Sequence, residues 1–180
     1  MIGPNDLKLC QNLLKSAVKD HRDSHSKFLR EILISVDVTA PLYFFKEWDT
    51  YKVGTTANST STMWKLAATP ITKECFEFGD YQDVSDHLID MEDSWDRLID
   101  LLEVLRTKYN ETKDIRYWKE LIRLLPESWL QTRTWTANYQ VLRNMYFDRR
   151  KHKLNEWSKD FVNWVETLPY AKELIMYEGD

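Results

Sequence analysis

The chain has 180 residues, a formal net charge of −4, 43% hydrophobic residues and 30% charged residues. This length suits one domain spanning residues 1–180, and the composition excludes an intrinsically disordered chain. The negative charge disfavours binding to duplex nucleic acid, and no apolar run reaches membrane-spanning length, so we expect a cytoplasmic protein without membrane contacts.

Two N-terminal segments carry apolar residues at helical spacing. The first covers residues 7–20 and follows Pro4 and Asn5, which suit the start of a helix. The second covers residues 24–33, where Phe28, Leu29, Ile32 and Leu33 recur at three- and four-residue steps. The sequence therefore predicts two helices at the start of the chain.

A strand and a short helix are predicted next. In ISVDVT, residues 34–39, apolar and polar side chains alternate, which is typical of a half-buried strand. Pro41 ends this strand and also suits the first turn of a helix over LYFFKEW, residues 42–48.

Residues 53–62 combine Gly54, Asn58 and several Ser and Thr side chains. This composition predicts a loop whose backbone and hydroxyl groups face something polar. Solvent and a bound ligand both fit that description, and composition alone leaves the choice open.

The second half of the chain is predicted to be mostly helical. Residues 83–109 form the longest helical pattern, and their acidic cluster, which includes Asp86, Asp90 and Asp96, suits a solvated helix face better than a cation site. Further helices are predicted over 115–125, 139–153 and 154–168, with a strand over TRTWTAN at 132–138. The predicted fold class is α+β, a mostly helical domain with a small sheet.

Two segments carry groups that suit a nucleotide. The first, Lys46–Trp64, interleaves two lysines with Trp48 and Tyr51 before the hydroxyl-rich stretch. A phosphate is held by NH and OH donors with a positive charge, and a base stacks on an aromatic plane. The second segment runs from Arg133 to Arg150 across a predicted strand-to-helix turn, where a helix start adds affinity for anions. Ordinary surface solubility explains either segment taken alone.

The chain lacks the residue patterns of catalysis by protein groups alone. No nucleophile elbow, Walker motif or paired Cys and His occurs, and the two Cys and four His show no metal-ligand spacing. The sequence therefore favours a non-enzymatic role and predicts no metal, although a cofactor would be able to carry chemistry here.

At these two segments the sequence resembles the flavin-dependent thymidylate synthases (ThyX). VDVTAPLYFFKEW looks like the lead-in to that family's R-H-R-x-x-S-x-N-E-x-S-x-R motif, and TYKVGTTANSTSTM occupies the motif if one extra residue is allowed before Asn58. LLPESWLQTRTWTANYQVLRNMYFDRR is similar to the family's later W-T-x-N-x-R block. The resemblance implies a ThyX-like fold, a homotetramer with sites between subunits, and FAD with a pyrimidine nucleotide as ligands.

The chain departs from the family at charged positions. Arg-His-Arg falls on Thr50, Tyr51 and Lys52, and the motif's Glu and closing Arg become Ser59 and Met63. In the later block Asn138 is kept, the Arg after it becomes Gln140, and the closing Arg corresponds to Arg149, or to Arg150 with a one-residue slip. Methionine cannot replace a bidentate phosphate contact, which makes thymidylate synthesis doubtful.

The first hypothesis is therefore a phage protein that binds a cyclic dinucleotide of bacterial antiviral signalling without changing it, an anti-CBASS sponge that needs no cofactor. The alternative is a divergent FAD-dependent enzyme acting on a pyrimidine nucleotide, and a third possibility is an interaction protein with no small ligand. The predicted ligand-binding residues comprise stacking aromatics, phosphate-binding cations and hydrogen-bonding side chains: Trp48, Tyr51, Trp64, Lys46, Lys52, Arg143, Arg149, Thr55, Asn58, Ser59, Ser61 and Asn138.

Overall fold

The computed structural model of the protein describes residues 3–20, 23–79 and 91–179. The long helix predicted over 83–109 is seen from Met91 onward, and it continues to Thr112. Its predicted first residues, including Asp86 and Asp90 of the acidic cluster, lie outside the described residues.

Most of the described chain is helical. The α-helices are α1 (Pro4–Asp20), α2 (Leu42–Trp48), α3 (Thr62–Ala68), α4 (Met91–Thr112), α5 (Ile115–Leu124), α6 (Tyr139–Arg149) and α7 (Val162–Glu166). Two 3₁₀ helices (Asp23–Glu31, Lys73–Cys75) and two π-helices (Glu156–Phe161, Ala171–Ile175) accompany them. The strands are β1 (Leu33–Pro41), β2 (Thr56–Ser59) and β3 (Leu130–Asn138). This architecture confirms the prediction of a mostly helical α+β fold with a small sheet.

Two predicted segments differ in type from the structure. Residues 24–33 were expected to be an α-helix, but the chain forms a 3₁₀ helix over Asp23–Glu31 and Leu33 already belongs to β1. The expected loop over 53–62 contains the short strand β2, whose four side chains are all exposed. A strand that is exposed on both faces shows no apolar alternation, so its sequence looks like a loop.

The three strands form an antiparallel sheet in the order β1-β3-β2, with β3 in the centre. Side-chain hydrogen bonds fix the register of β1 and β3. The hydroxyls of Thr39 and Thr132 lie 2.8 Å apart, and the Thr134 hydroxyl donates to Asp37 Oδ1 at 2.6 Å. These polar pairs occupy one face, because the two members on each strand are two positions apart and side chains alternate between faces.

Backbone contacts divide the chain into two compact units that share these strands. Unit 1 comprises Met1–Asp37, Trp48–Asn58 and Thr134–Asp180, and unit 2 comprises Val38–Glu47 and Ser59–Arg133. That residues 1–180 act as one domain stays a prediction.

Aromatic rings form the centre of unit 1. The Trp48 ring lies 4.6 Å from Trp135 and 5.6 Å from Trp157, measured between centroids, and Phe161 packs edge-on against both Trp48 and Trp157. Each of the four side chains is at most 4% exposed. Several of the eight tryptophans are therefore core residues, because burying a large ring removes much apolar surface from water.

In unit 2 the helices α3, α4 and α5 cover a separate apolar core. Its fully buried members include Leu66, Leu102 and Leu121, one from each helix. Phe76 and Trp129 join them with ring centroids 5.4 Å apart, and Leu42 at the start of α2 packs against the same cluster. None of the helices that the structure describes combines the length and the apolarity needed to cross a membrane.

Candidate anion site

A shared hydroxyl group joins two distant parts of unit 1. Tyr51 follows α2, and its hydroxyl donates to Asp148 Oδ2 at 3.1 Å while accepting from Arg149 Nε at 2.9 Å. Asp148 and Arg149 are consecutive residues in the last turn of α6. We call Tyr51, Asp148 and Arg149 the Tyr51 cluster.

The guanidinium of Arg149 lies against two aromatic rings. Its central carbon is 5.5 Å from the Tyr51 ring centroid and 5.3 Å from that of Trp157, distances at which a cation is attracted to a ring face. The hydrogen bond and the ring contacts together therefore fix the orientation of the Arg149 guanidinium.

Burial raises the pKa of the Tyr51 phenol, and Arg149 opposes that shift while the neighbouring Asp148 adds to it. Tyr51 consequently stays protonated at neutral pH, and its hydroxyl keeps a proton to donate to Asp148. The cluster therefore holds a fixed cation beside a fixed carboxylate.

The loop after Tyr51 packs against the start of α6. The Thr55 hydroxyl donates to the Tyr51 carbonyl at 2.8 Å. Gly54 has a φ of +75°, and a Cβ atom there would lie 3.1 Å from Asn138 Nδ2. Asn138 is buried and caps α6, since its Oδ1 accepts from the Val141 amide at 3.1 Å. The turn at Gly54 thus lies against the start of α6, the Tyr51 hydroxyl reaches its last turn, and Lys52 and Asn58 remain exposed.

Arg143 is directed elsewhere. Its Nη1 donates to the carbonyls of Ile175 at 2.9 Å and Leu174 at 3.4 Å, and its guanidinium carbon is 4.8 Å from the Phe147 ring centroid. Burial lowers the pKa of this guanidinium. In this arrangement Arg143 secures the C-terminal helical turn, and its predicted contact with a ligand stays a prediction.

Trp48 also differs from the expected picture of a stacking residue. Its indole is 3% exposed and packs among the rings of the unit 1 core. The stacking role assigned to Trp48 stays a prediction, and Tyr51 is the half-buried aromatic residue closer to solvent.

Gln140 carries a polar atom with an unusual environment. Its Nε2 donates to Asn144 Oδ1 at 3.1 Å, whereas its buried Oε1 has no hydrogen-bond partner among the described residues. Buried acceptors are nearly always paired, so such an atom is a hint of function. Gln140 lies in the first turn of α6, two residues after Asn138.

The remaining predicted residues belong to unit 2. Lys46 forms an exposed ion pair with Glu127 at 2.8 Å. Ser61 caps α3 by accepting from the Trp64 amide at 3.3 Å, and Ser59 is exposed in β2. The Trp64 side chain is 78% exposed, which is unusual for such a large apolar ring.

Unit 2 also contains a polar network that the sequence did not reveal. Gln131 is buried in β3, and its Nε2 donates to the Thr60 carbonyl at 3.2 Å and to the Thr62 hydroxyl at 2.7 Å. Arg133 Nε donates to Gln131 Oε1 at 2.8 Å, with its guanidinium carbon 3.9 Å from the Phe45 ring centroid. This network fixes Thr60 and Thr62, which precede Trp64.

Asp148 is the member of the Tyr51 cluster that sequence reasoning missed. Its position directly before Arg149 was the available signal, but only the fold brings it to Tyr51, 97 residues away. Within the described residues, no three His, Cys, Asp or Glu side chains are grouped so that they could hold a metal ion.

Comparison with known proteins gives the class of fold. No protein-family model matches the chain, and no curated protein matches its sequence. Among solved structures, flavin-dependent thymidylate synthase ThyX from Helicobacter pylori, complexed with FAD and dUMP, is similar with a TM-score of 0.66 and 16% identity over 96% of this chain and 83% of that one.

A second structure of Helicobacter pylori thymidylate synthase X with FAD and dUMP has a TM-score of 0.67 and 16% identity, and the match covers 98% of this chain and 84% of that one. At this identity the likeness establishes the fold. The protein has a ThyX-like fold along nearly its whole described length.

Proposed function

We propose that the protein binds a nucleotide without converting it, and that the Tyr51 cluster holds one of the ligand's phosphate groups. In its specific form, the protein is a phage product that sequesters a cyclic dinucleotide of bacterial antiviral signalling in the host cytoplasm. The ligand occupies pockets between the subunits of a homotetramer.

The observation that carries this proposal is the fixed guanidinium of Arg149. A hydrogen bond to Tyr51 and contacts with two rings orient it, so it loses little freedom when an anion arrives. Lys52, exposed beside Tyr51, supplies a second positive charge. Gln140 Oε1, the buried acceptor at the start of the same helix, suits an amino or imino group of a base.

The donors of unit 1 fit FAD poorly. Arg143 makes its hydrogen bonds to carbonyls inside the chain, and Gln140 stands where the resemblance places an arginine of the family. A flavin diphosphate and a substrate phosphate together call for more cationic donors than this set offers. We therefore derive no flavin chemistry from these residues, which favours a binding protein.

A divergent flavoenzyme is the second candidate, because the two similar structures were solved with FAD and dUMP. Under this alternative the purified protein would be yellow and would contain flavin in near-equimolar amount. Absorbance at the flavin bands, followed by release of the chromophore on heating, distinguishes the two candidates directly.

The test of the proposed function is native mass spectrometry of the protein incubated with cyclic di-AMP, cyclic di-GMP, dUMP and FAD, combined with melting temperatures. We expect a cyclic dinucleotide to raise the melting temperature and to be recovered intact, because a ligand that binds only the folded state stabilises it. Near-equimolar binding of FAD together with dUMP would favour the enzyme instead. No stabilisation by any nucleotide would leave an interaction protein without a small ligand.

A further inference from the structure

The Tyr51 cluster contains a negative charge as well as a positive one. The hydroxyl that accepts from Arg149 Nε at 2.9 Å also donates to Asp148 Oδ2 at 3.1 Å. A single oxygen atom therefore links the guanidinium and the carboxylate. An anion on Arg149 would lie within a few ångströms of the Asp148 charge.

We infer that Asp148 is a specificity-determining residue, which shifts the selectivity of the site from terminal phosphomonoesters towards phosphodiesters. This inference rests on the nucleotide-binding function proposed above. A phosphodiester carries one negative charge, whereas a phosphomonoester carries nearly two above its second pKa of about 6. A doubly charged ligand is attracted more strongly by Arg149, and repelled more strongly by Asp148, than a singly charged one. A neutral substitution at position 148 removes only the repulsion.

The hydrogen bond explains why a carboxylate can be kept so close to an anion site. The Tyr51 hydroxyl needs an acceptor for its proton while its own oxygen accepts from Arg149. A neutral amide would accept that proton equally well. The charge on Asp148 is thus not required to orient Tyr51. Its role in this inference is to discriminate between ligands of different charge.

The expected size of the effect follows from Coulomb's law. Asp148 is exposed, so the local dielectric is close to that of water. One additional negative charge about 6 Å away then changes affinity by about threefold at low salt, and by less as salt is added.

The experiment compares two ligand pairs by isothermal titration at pH 8 and low salt. Each pair consists of a cyclic dinucleotide, cyclic di-AMP or cyclic di-GMP, and its ring-opened form with a terminal phosphomonoester. The ratio of cyclic to ring-opened affinity in the wild type defines its preference. In Asp148→Asn the ratio of cyclic to ring-opened affinity is expected to fall about threefold, because the ring-opened ligand gains more from the lost charge.

Two further variants separate charge from structure. Asp148→Glu retains the charge and is expected to keep the wild-type preference. Glu166→Gln removes an exposed carboxylate on α7 and is also expected to keep it. Melting temperatures of all variants should agree, since position 148 is exposed.

The outcomes separate this inference from the proposed function. If the wild type binds both ligands and Asp148→Asn leaves their ratio unchanged, the inference is wrong while nucleotide binding stands. If Asp148→Asn alone lowers the melting temperature by many degrees, Asp148 is a structural residue and the inference is also wrong. If the wild type binds no ligand of either pair, the proposed function fails and the inference fails with it.

Discussion

Tyr51 and Arg149 are 98 positions apart in sequence, and their hydrogen bond is the contact on which the candidate site depends. An arginine side chain is flexible, and ordering it on ligand binding costs conformational entropy. Here the Tyr51 hydroxyl and two aromatic rings have ordered the guanidinium beforehand. The cluster therefore offers a directed cation at a small entropic cost.

Lys52 provides a direct test of phosphate binding at the residue scale. In Lys52→Ala we expect the affinity for a cyclic dinucleotide to fall about tenfold, because one charge-assisted contact is lost. The melting temperature should change by no more than about 1 °C, since Lys52 is exposed. Titration calorimetry measures the first quantity and a thermal scan the second. Lys153→Ala, an exposed lysine further along unit 1, is the matched control, and unchanged affinity in Lys52→Ala would remove Lys52 from the site.

Gly54 tests whether the turn after Tyr51 needs its unusual backbone. Gly54→Ala is expected to lower the free energy of unfolding by about 1 to 2 kcal/mol, because a positive φ strains any residue with a Cβ. The new atom would also meet Asn138 Nδ2 at 3.1 Å. Urea denaturation gives the change. Gly3→Ala, where the nearest atom belongs to the side chain of Asp6, should stay within about 0.5 kcal/mol, and equal effects at both glycines would contradict the explanation.

At the scale of elements, α3 is short but firmly attached within unit 2. The Ala67 carbonyl accepts from Asn110 Nδ2 at 2.8 Å, and the Met63 carbonyl accepts from Trp118 Nε1 at 3.3 Å. The donors of these two hydrogen bonds lie on α4 and α5. The bonds add to the few backbone hydrogen bonds that a helix of seven residues can form within itself. Trp64 therefore lies on a helix that is firmly attached within unit 2.

Glu103 connects α4 to the segment that follows α3, and this connection should depend on pH. Its carboxylate accepts from Arg106 Nε at 2.7 Å and from the Ile71 amide at 2.8 Å. The hydrogen bond from Arg106 lowers the pKa of Glu103 most, with help from the Ile71 amide, while burial opposes them.

Because the folded pKa lies below the unfolded one, the unfolded chain binds the proton more readily. The stabilisation by Glu103 is therefore complete above the unfolded value and is lost as pH falls through the folded value. We expect Glu103→Gln to lower stability at pH 7 and to flatten the loss of stability on acidification. Urea midpoints between about pH 6 and pH 3 measure this dependence. Glu120→Gln, an exposed acid on α5, should follow the wild-type curve, and a Glu103→Gln curve parallel to wild type would contradict the expectation.

The sequence predicted the elements whose patterns are strong. The alternation in 34–39 and the apolar spacing in 115–125 identified β1 and α5 with their ends close to those observed. It missed β2 because all four of its side chains are exposed, and it did not distinguish a 3₁₀ helix from an α-helix over Asp23–Glu31. The contact of Tyr51 with Asp148 was beyond its reach, because spacing within a segment carries no information about partners 97 residues away.

At the scale of the whole molecule, several large apolar side chains are exposed. They include Leu33, Val53 and Trp64, which are 68%, 89% and 78% exposed. Single apolar side chains are also exposed on monomeric proteins, and only a contiguous patch of them marks an interface. The homotetramer therefore stays a proposal that needs its own test.

Light scattering coupled to size exclusion tests that proposal. We expect a particle mass of about four times the 21.6 kDa of one chain. The particle mass should not change on tenfold dilution, because we expect an interface that completes a binding site to be stable. A mass of one chain at all concentrations would remove the tetramer and with it the pockets between subunits.

The order in which the chain passes through its two units also determines which unit can fold first during synthesis. All of unit 2 has left the ribosome soon after residue 133, whereas unit 1 needs both residues 1–37 and residues 134–180. Trp135, Trp157 and Leu174, which are buried in unit 1, are still unmade at that stage. At a translation rate of roughly 5 to 20 residues per second, the nascent N-terminal helix carries Leu14 without its final neighbours for several seconds. Cellular chaperones that bind short apolar stretches would find this helix unburied during that time.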